Sequence, residues 1–589
     1  MQPHWASLDA RMRAAPGAFQ PSSSSNGNAA CSQALQYHDF ALQTLSDCSD
    51  PANQDSELCG YIGEYLELPS TANAESAGHY AQPPLDLINL FINPTDSGKP
   101  WANFLAMTTL GQTADLGSVA YIASVINAKW ATLNDSSITE DDFVGAWSRA
   151  WWGQADTVFD QATSFSNPYD WVSKRDLFFE AANFYFTGAW PQPTQPEAQD
   201  ALSNMRMALR SGFKAWQAAT STRVIYFTVN YTAEGNTANG TTEFTQLPGF
   251  FITPDPSRKL PTALMGTGFD WPKEAFFLQT GQALLDRGYA ALYFEGPGQG
   301  EALWNAPHLT FTNDWAGAIS PFLDYAENQL SQYIDSSRIV LEGSSLGGYL
   351  SGRACAGLSD RLAACYPNPA RTDLTAAFNV TAKYAVPVWG PIQYVGQQNA
   401  SLLPPGYAAA FSNLSNIMTP LLFQCTADTR APEAFAEPIA AQSTVDPDLI
   451  YLAASFGGVV SSDYPTLLSG LWEGFRRVSA FTNPDIANIS CPVLTVKGAE
   501  DDLLGGQEAA FIAALSPATA VKSKLITFNA SSGAALHDQS GAPIAANAAV
   551  FAFLDPILKG NSSTSSVLSA AGRRLHKSAH HSKTHSDLL

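Results

Sequence analysis

"LEGSSLGGYL", residues 341 to 350, closes the apolar run Ile339-Val340-Leu341 and sets Ser345 in the frame Gly343-Ser344-Ser345-Leu346-Gly347. A serine in Gly-x-Ser-x-Gly, just past a strand and just before a helix, reads as a nucleophile elbow. The flanking glycines permit a tight, strained turn that presents the hydroxyl. "LGGYLSGRACAGL" supplies the helix, and its small residues allow close packing on a sheet. Alone, the pattern is weak, because a small residue in a tight turn would look the same. Its surroundings decide.

Upstream, "TRVIYFTVNY" and "GFFITP" read as strands, followed by "TALMGTGFD", "AALYFEGPGQG" and "SRIVLEGSS", short apolar strands ending in glycines. Helical stretches, "EAFFLQTGQALLDRG" and "WAGAISPFLDYAENQLSQYI", lie between them. Such alternation predicts parallel crossovers and a doubly wound sheet. The alternation pauses from about 366 to 480 and resumes with "CPVLTVKGAEDD" and "KLITFNASSGAALH". An insertion into the sheet fold accounts for the pause.

A serine hydroxyl attacks only after a base has taken its proton. His4, His38, His79 and His308 precede Ser345, and His576, His580, His581 and His585 belong to the tail, so His537 is left. It follows the strand-like "KLITF" by a short loop, as the chain order Ser, acid, His requires. The orienting carboxylate should end the preceding strand, where "PVLTVKGAEDDLLGG" offers Glu500, Asp501 and Asp502. Asp501 is the first choice and Asp502 the second. One of these acids could instead cap the helix beginning near Gly506. Asp428 ranks lower, since no histidine-bearing strand follows it. For the developing oxyanion, the backbone N–H of Leu346 is one expected donor. The loop "LMGTGFD", whose Gly266 and Gly268 allow close approach, makes the Phe269 amide the other. "FEGPGQGE", residues 294 to 301, fits neither Gly-x-Gly-x-x-Gly nor a P-loop, so phosphate binding is not expected.

Taken together, "FEGPGQGE", "GSSLGGYLSGR", "CPVLTVKGAEDD" and "GAALHDQSG" resemble an α/β-hydrolase group. It includes the FrsA-like esterases, the fungal pigment polyketide-shortening hydrolases and 2,6-dihydroxypseudooxynicotine hydrolase. The resemblance spans roughly residues 85 to 558, including "FEAANFY". It implies an α/β-hydrolase fold with a helical lid over Ser345, Asp501 and His537, with "GTGFD" as the oxyanion loop. Cleavage of an ester or of a carbon-carbon bond next to a ketone is implied too. Two departures bear on substrate class. Glu295 stands where some members have aspartate, and Asp538 where a cysteine is frequent after the histidine.

The expected division is an irregular extension at 1–84, a helical cap region at 85–220 and core halves at 221–365 and 481–558. A helical insertion fills 366–480, and 559–589 form a disordered basic tail. In the cap, "GSVAYIASVINAKWATL", "DDFVGAWSRAWWGQADTVF", "KRDLFFEAANFYFTGAW" and "EAQDALSNMRMALRSGFKAW" carry apolar residues three and four apart. Eight of the 14 tryptophans fall between Trp101 and Trp216 and are expected to fill helix interfaces.

Composition sets the outer limits. With 589 residues, 45% apolar and 14% charged, the chain can bury a large core, and no apolar run is long enough for a membrane span. A net charge of -22 argues against nucleic acid. The expected partner is a small acyl substrate. No metal or organic cofactor is required, no Cys-x-x-Cys pair suggests zinc, and a homo-oligomer is unsupported. No signal-peptide h-region is visible, whereas nine Asn-x-Ser/Thr sequons lean toward a secreted or vacuolar protein. The seven cysteines leave open one disulfide in the cluster Cys31, Cys48, Cys59, or buried free thiols. The rival readings are a prolyl-oligopeptidase-type peptidase and a catalytically silent binding protein.

Overall fold

The computed structural model describes residues 140–191, 196–233, 243–372, 483–499 and 506–560 almost throughout, with Asp501 and isolated residues elsewhere. "GSVAYIASVINAKWATL", most of 366–480, Glu500, Asp502, Asp428 and the tail from 561 lie outside the described residues.

Among the described residues, three long helices precede the sheet: α1 (Glu140–Ser164), α2 (Trp171–Ala189) and α3 (Pro196–Ala219). In α3 the buried positions, among them Ala198, Ala201, Leu202, Met205, Leu209 and Trp216, keep the spacing of a single helix face. The second half of α2, Phe178 to Ala189, is buried continuously, as expected of a helix enclosed on all sides. Tryptophans fill these interfaces as their spacing predicts. Trp151 of α1 packs against Phe184 of α2 at 5.4 Å, and Trp216 of α3 against Phe179 at 6.2 Å.

The strands among the described residues are β1 (Arg223–Ala233), β2 (Glu243–Thr253), β3 (Leu260–Gly266), β4 (Ala290–Phe294), β5 (Ile334–Ser344), β6 (Ala364–Asn368), β7 (Leu494–Gly498) and β8 (Lys524–Phe528). Six of them form a sheet in the order β1-β2-β4-β3-β5-β6. β1, β2 and β4 are joined antiparallel, and β4, β3, β5 and β6 parallel. The parallel pair β7-β8 lies beside β6 through a Cys365–Val493 bridge and a hydrogen bond from Cys365 N to Pro492 O. β6 carries the core on to Asn368, past the expected break at 365. Successive side chains serve opposite faces: Ala263 and Met265 enter one core, Leu264 the other. Helices cover both faces. α4 (Lys273–Asp286) and α9 (Pro543–Lys559) pack with the three leading helices on the first core. α6 (Trp315–Asn328), α7 (Leu346–Leu358) and α8 (Glu508–Ala514) cover the second. The short α5 (Gly300–Asn305) follows β4.

"EGPGQGE" turns out to be a structural joint. The Glu295 carboxylate accepts the backbone N–H of Lys273 at 2.9 Å and of Glu301 at 2.8 Å. The Lys273 ammonium lies 3.3 Å from Glu295, 3.1 Å from Glu274 and 2.6 Å from Glu301. Arg206 of α3 approaches Glu274 and Glu301 at 3.8 and 3.9 Å, tying the leading helices to the core. Burial works against the Lys273 charge, but the three carboxylates outweigh it.

Cys48 pairs with Cys59 in the first cluster, and Cys355 of α7 pairs with Cys365 of β6. The second pair was not anticipated, because nothing in the spacing says that this helix lies against this strand. Cys491 is a buried free thiol. Among the described residues no single helix is long and apolar enough to cross a membrane; one bent pair, Ala530–Gln539 with Pro543–Lys559, passes by length and composition.

Removing one partner from a buried ion cluster strands the others. Lys273→Met should therefore cost about 3–5 kcal/mol, seen as a lowered thermal unfolding midpoint. Glu301→Gln, at the cluster's half-buried rim, should lower it much less.

Candidate active site

β5 ends level with its neighbours, Gly343 pairing with Gly266 of β3 and Ser344 with Asn368 of β6. The chain then turns sharply. Ser345 adopts φ 58° and ψ −126° immediately before α7, the strained geometry the glycine frame implied. A Cβ at Gly343 would lie 2.1 Å from the carbonyl oxygen of Gly347, and one at Gly347 2.4 Å from that of Thr267. Only glycine fits at these crossings. The Ser345 N–H is shared between Asn368 O at 2.7 Å and Asp538 Oδ1 at 3.0 Å.

The hydroxyl lies 2.9 Å from Nε2 of His537, which enters on the loop after β8. On the other side of the ring, Nδ1 lies 3.0 Å from both carboxylate oxygens of Asp501, just beyond β7. Three side chains separated widely in sequence thus meet at the carboxyl ends of parallel strands. Of the two acids considered, Asp501 is the one seen at the imidazole; Asp502 lies outside the described residues. Burial opposes a charge on His537, but the Asp501 and Asp538 carboxylates outweigh it and raise its pKa to about 9. Such an arrangement can take a proton from Oγ and hold it on Nε2.

Leu346 opens α7 directly after the serine. The Thr267–Phe269 loop presses on the same point, since a Cβ at Gly268 would sit 3.2 Å from Ser345 Oγ. Sequence reading missed what holds this loop. Gln299 Nε2 donates to the carbonyls of both Thr267 and Gly268 at 2.7 Å, while its Oε1 accepts the Gly296 N–H at 2.9 Å. In a trans peptide the N–H points opposite to the C=O. With the Gly268 carbonyl tied to Gln299, the Phe269 N–H faces away from that side. The signal lay inside "GPGQG", read only for its failure as a nucleotide loop.

Two further carboxyls were also missed. Asp270, the last residue of "GTGFD", accepts the indole N–H of Trp190 at 2.7 Å, and burial raises its pKa to about 6. Trp190 stacks on Phe186 and meets Trp271 edge-on, so an aromatic cluster from α2 borders the loop. Asp538, noted in the sequence only as a departure, reaches within 3.6 Å of His537 Nε2.

A model of the prolyl oligopeptidase family matches residues 276–442. The chain is 30% identical over 256 residues to Hydrolase acrC of Aspergillus aculeatus, an alignment covering 41% of this chain and 56% of that protein. It is 28% identical over 250 residues to 20-hydroxy-prefusarin hydrolase FUS2 of Gibberella moniliformis, covering 41% and 55%. The chain has the α/β-hydrolase fold. It spans about half the length of the curated relatives it matches. Among solved structures, 2,6-dihydroxy-pseudo-oxynicotine hydrolase aligns with a TM-score of 0.45 and 17% identity, covering 76% of this chain and 95% of that one.

Only a neutral imidazole can take the serine proton, and a pKa near 9 leaves little of it neutral in acid. Reaction of Ser345 with a fluorophosphonate should therefore slow as pH falls, reaching half its alkaline rate near pH 9. Labelling rates measured across pH check this.

Proposed function

We propose that this α/β-hydrolase is a serine hydrolase that cleaves an ester, or a carbon-carbon bond next to a ketone, in a small, largely apolar acyl substrate. The observation that carries the reading is the continuous contact from Ser345 Oγ through His537 to Asp501, at 2.9 and 3.0 Å. His537 accepts the hydroxyl proton as Oγ attacks the carbonyl. The oxyanion falls to the Leu346 and Phe269 amides, and Asp501 fixes the tautomer that leaves Nε2 free to accept. Nε2 then protonates the leaving group. Water, deprotonated by the same nitrogen, releases the acid from the acyl-enzyme. The aromatic cluster of Phe186, Trp190 and Trp271 supports an apolar substrate. The curated relatives named as hydrolases are consistent with this class.

A peptidase is the second reading, favoured by the family match at 276–442. Against it stands the three-helix unit before the sheet, where a prolyl-oligopeptidase architecture would carry propeller blades. The two disulfides, and the exposed sequons at Asn230, Asn488 and Asn529, support a chain that folds along the secretory route.

A fluorophosphonate should label Ser345 in the folded chain and fail on Ser345→Ala; no labelling of the wild type would favour a silent binding protein. On a panel of short acyl esters, β-diketones and aminoacyl amides, turnover of esters or diketones should exceed that of amides. The reverse order would establish the peptidase. Asp501→Asn should lower kcat by a factor on the order of 10⁴. Gln299→Leu, which frees the oxyanion loop, should lower kcat about ten- to a hundredfold with KM little changed.

A further inference from the structure

Asp538 follows His537 directly, yet its side chain turns back over the nucleophile. Its backbone has φ 52°, and Gln539 after it has φ 55°, two consecutive non-glycine residues in the left-handed region. That conformation is held from several sides. Gln279 of α4 donates to the Asp538 carbonyl at 3.3 Å, and Gln539 exchanges amide hydrogen bonds with Asn368 of β6 at 3.0 and 3.3 Å. The result places one carboxylate against both reacting partners: Oδ1 accepts the Ser345 N–H at 3.0 Å, and Oδ2 stands 3.6 Å from Nε2.

Resting on the serine-hydrolase reading, we propose that Asp538 is a positioning residue. Its carboxylate anchors the Ser345 turn, and its charge beside Nε2 of His537 sets the pH below which the serine stops reacting.

The neighbouring groups leave this role to Asp538. Asp501 faces the opposite nitrogen. Glu342 of β5 lies beneath, but burial raises it to about 8, so it is largely neutral at neutral pH. Tyr366 of β6 is pushed well above its ordinary range by burial and stays uncharged. Asp270, on the oxyanion loop, is engaged by Trp190. A positive charge nearby is Arg371, just past β6, fully buried and, among the described residues, with no hydrogen-bond acceptor for any of its three guanidinium nitrogens. It couples to Asp501, Glu508 and Asp538 and opposes protonation of the imidazole. Asp538 itself is raised by burial, while the His537 charge and the donors at Ser344 and Ser345 favour its ionised form. When the proton moves from Oγ to Nε2, this anion stabilises the cation formed. The same attraction keeps the ring protonated to higher pH.

The sign follows directly. Asp538→Asn keeps an oxygen for the Ser345 N–H and removes the charge, so the imidazole loses its proton more easily. Fluorophosphonate labelling of the full-length chain across pH reads this without a known substrate. The acid limb of the labelling rate should move down by about one pH unit or more. Asp538→Glu, which retains the charge, should leave the limb near the wild-type position. Asp538→Ala should shift the limb like the Asn variant and also react more slowly on its alkaline plateau, having lost the Ser345 anchor. An unmoved limb in both neutral variants overturns the charge role, and equal plateaus for Asn and Ala overturn the anchoring role. Absence of labelling in the wild type at every pH removes the serine-hydrolase reading itself, a result distinct from either.

Discussion

The strained turn at Ser345 is the constraint from which the rest of the site follows. A non-glycine residue at φ 58° costs on the order of 1–3 kcal/mol and persists only where its surroundings over-determine it. Here three pieces of backbone are pressed together without side chains between them. A Cβ at Gly348 would lie 2.1 Å from the carbonyl oxygen of Pro369, and one at Gly347 2.4 Å from that of Thr267. The turn is therefore clamped between the end of β6 and the loop after β3. The shared Ser345 N–H adds a polar tie to the end of β6, at Asn368, and another to the loop after β8, at Asp538. The hydroxyl has little freedom left, and its 2.9 Å approach to His537 is a consequence of that packing.

Those parts of the site that were legible in the sequence are the ones whose chemistry restricts residue type. A serine between glycines after a strand, a single histidine between 346 and 575, and an acid at the end of β7 could be found because few alternatives existed. The fold was legible for a similar reason. Helical spacing in α3 and short apolar strands ending in glycine are each set by a repeating geometry. Gln299, Asp270 and Asp538 were not legible, since their contacts depend on which way a carbonyl or a loop points. An amide that captures the Thr267 and Gly268 carbonyls leaves no periodic trace. Nor does a carboxylate that folds back from a left-handed residue. The Cys355–Cys365 pair was hidden likewise, because it requires knowing that α7 returns beside β6.

These less legible residues tie the leading helices to the loop beside Ser345. The Thr267–Asp270 loop is held at both ends, by Gln299 from the core side and by Trp190, at the end of α2, through Asp270. Gln299 in turn belongs to the loop whose first residue, Glu295, is locked by Lys273, and that ion cluster extends to Arg206 of α3. Both attachments of the loop thus lead back to the helices that precede the sheet. The Thr267–Phe269 loop is coupled to those helices and also to the Ser345 turn on which it presses. Ser345 and His537 are set by the sheet ends, whereas the donor proposed at Phe269 is set jointly by the sheet and the leading helices. On the proposed hydrolase reading, a substrate that touched those helices would have a physical route to the Phe269 amide.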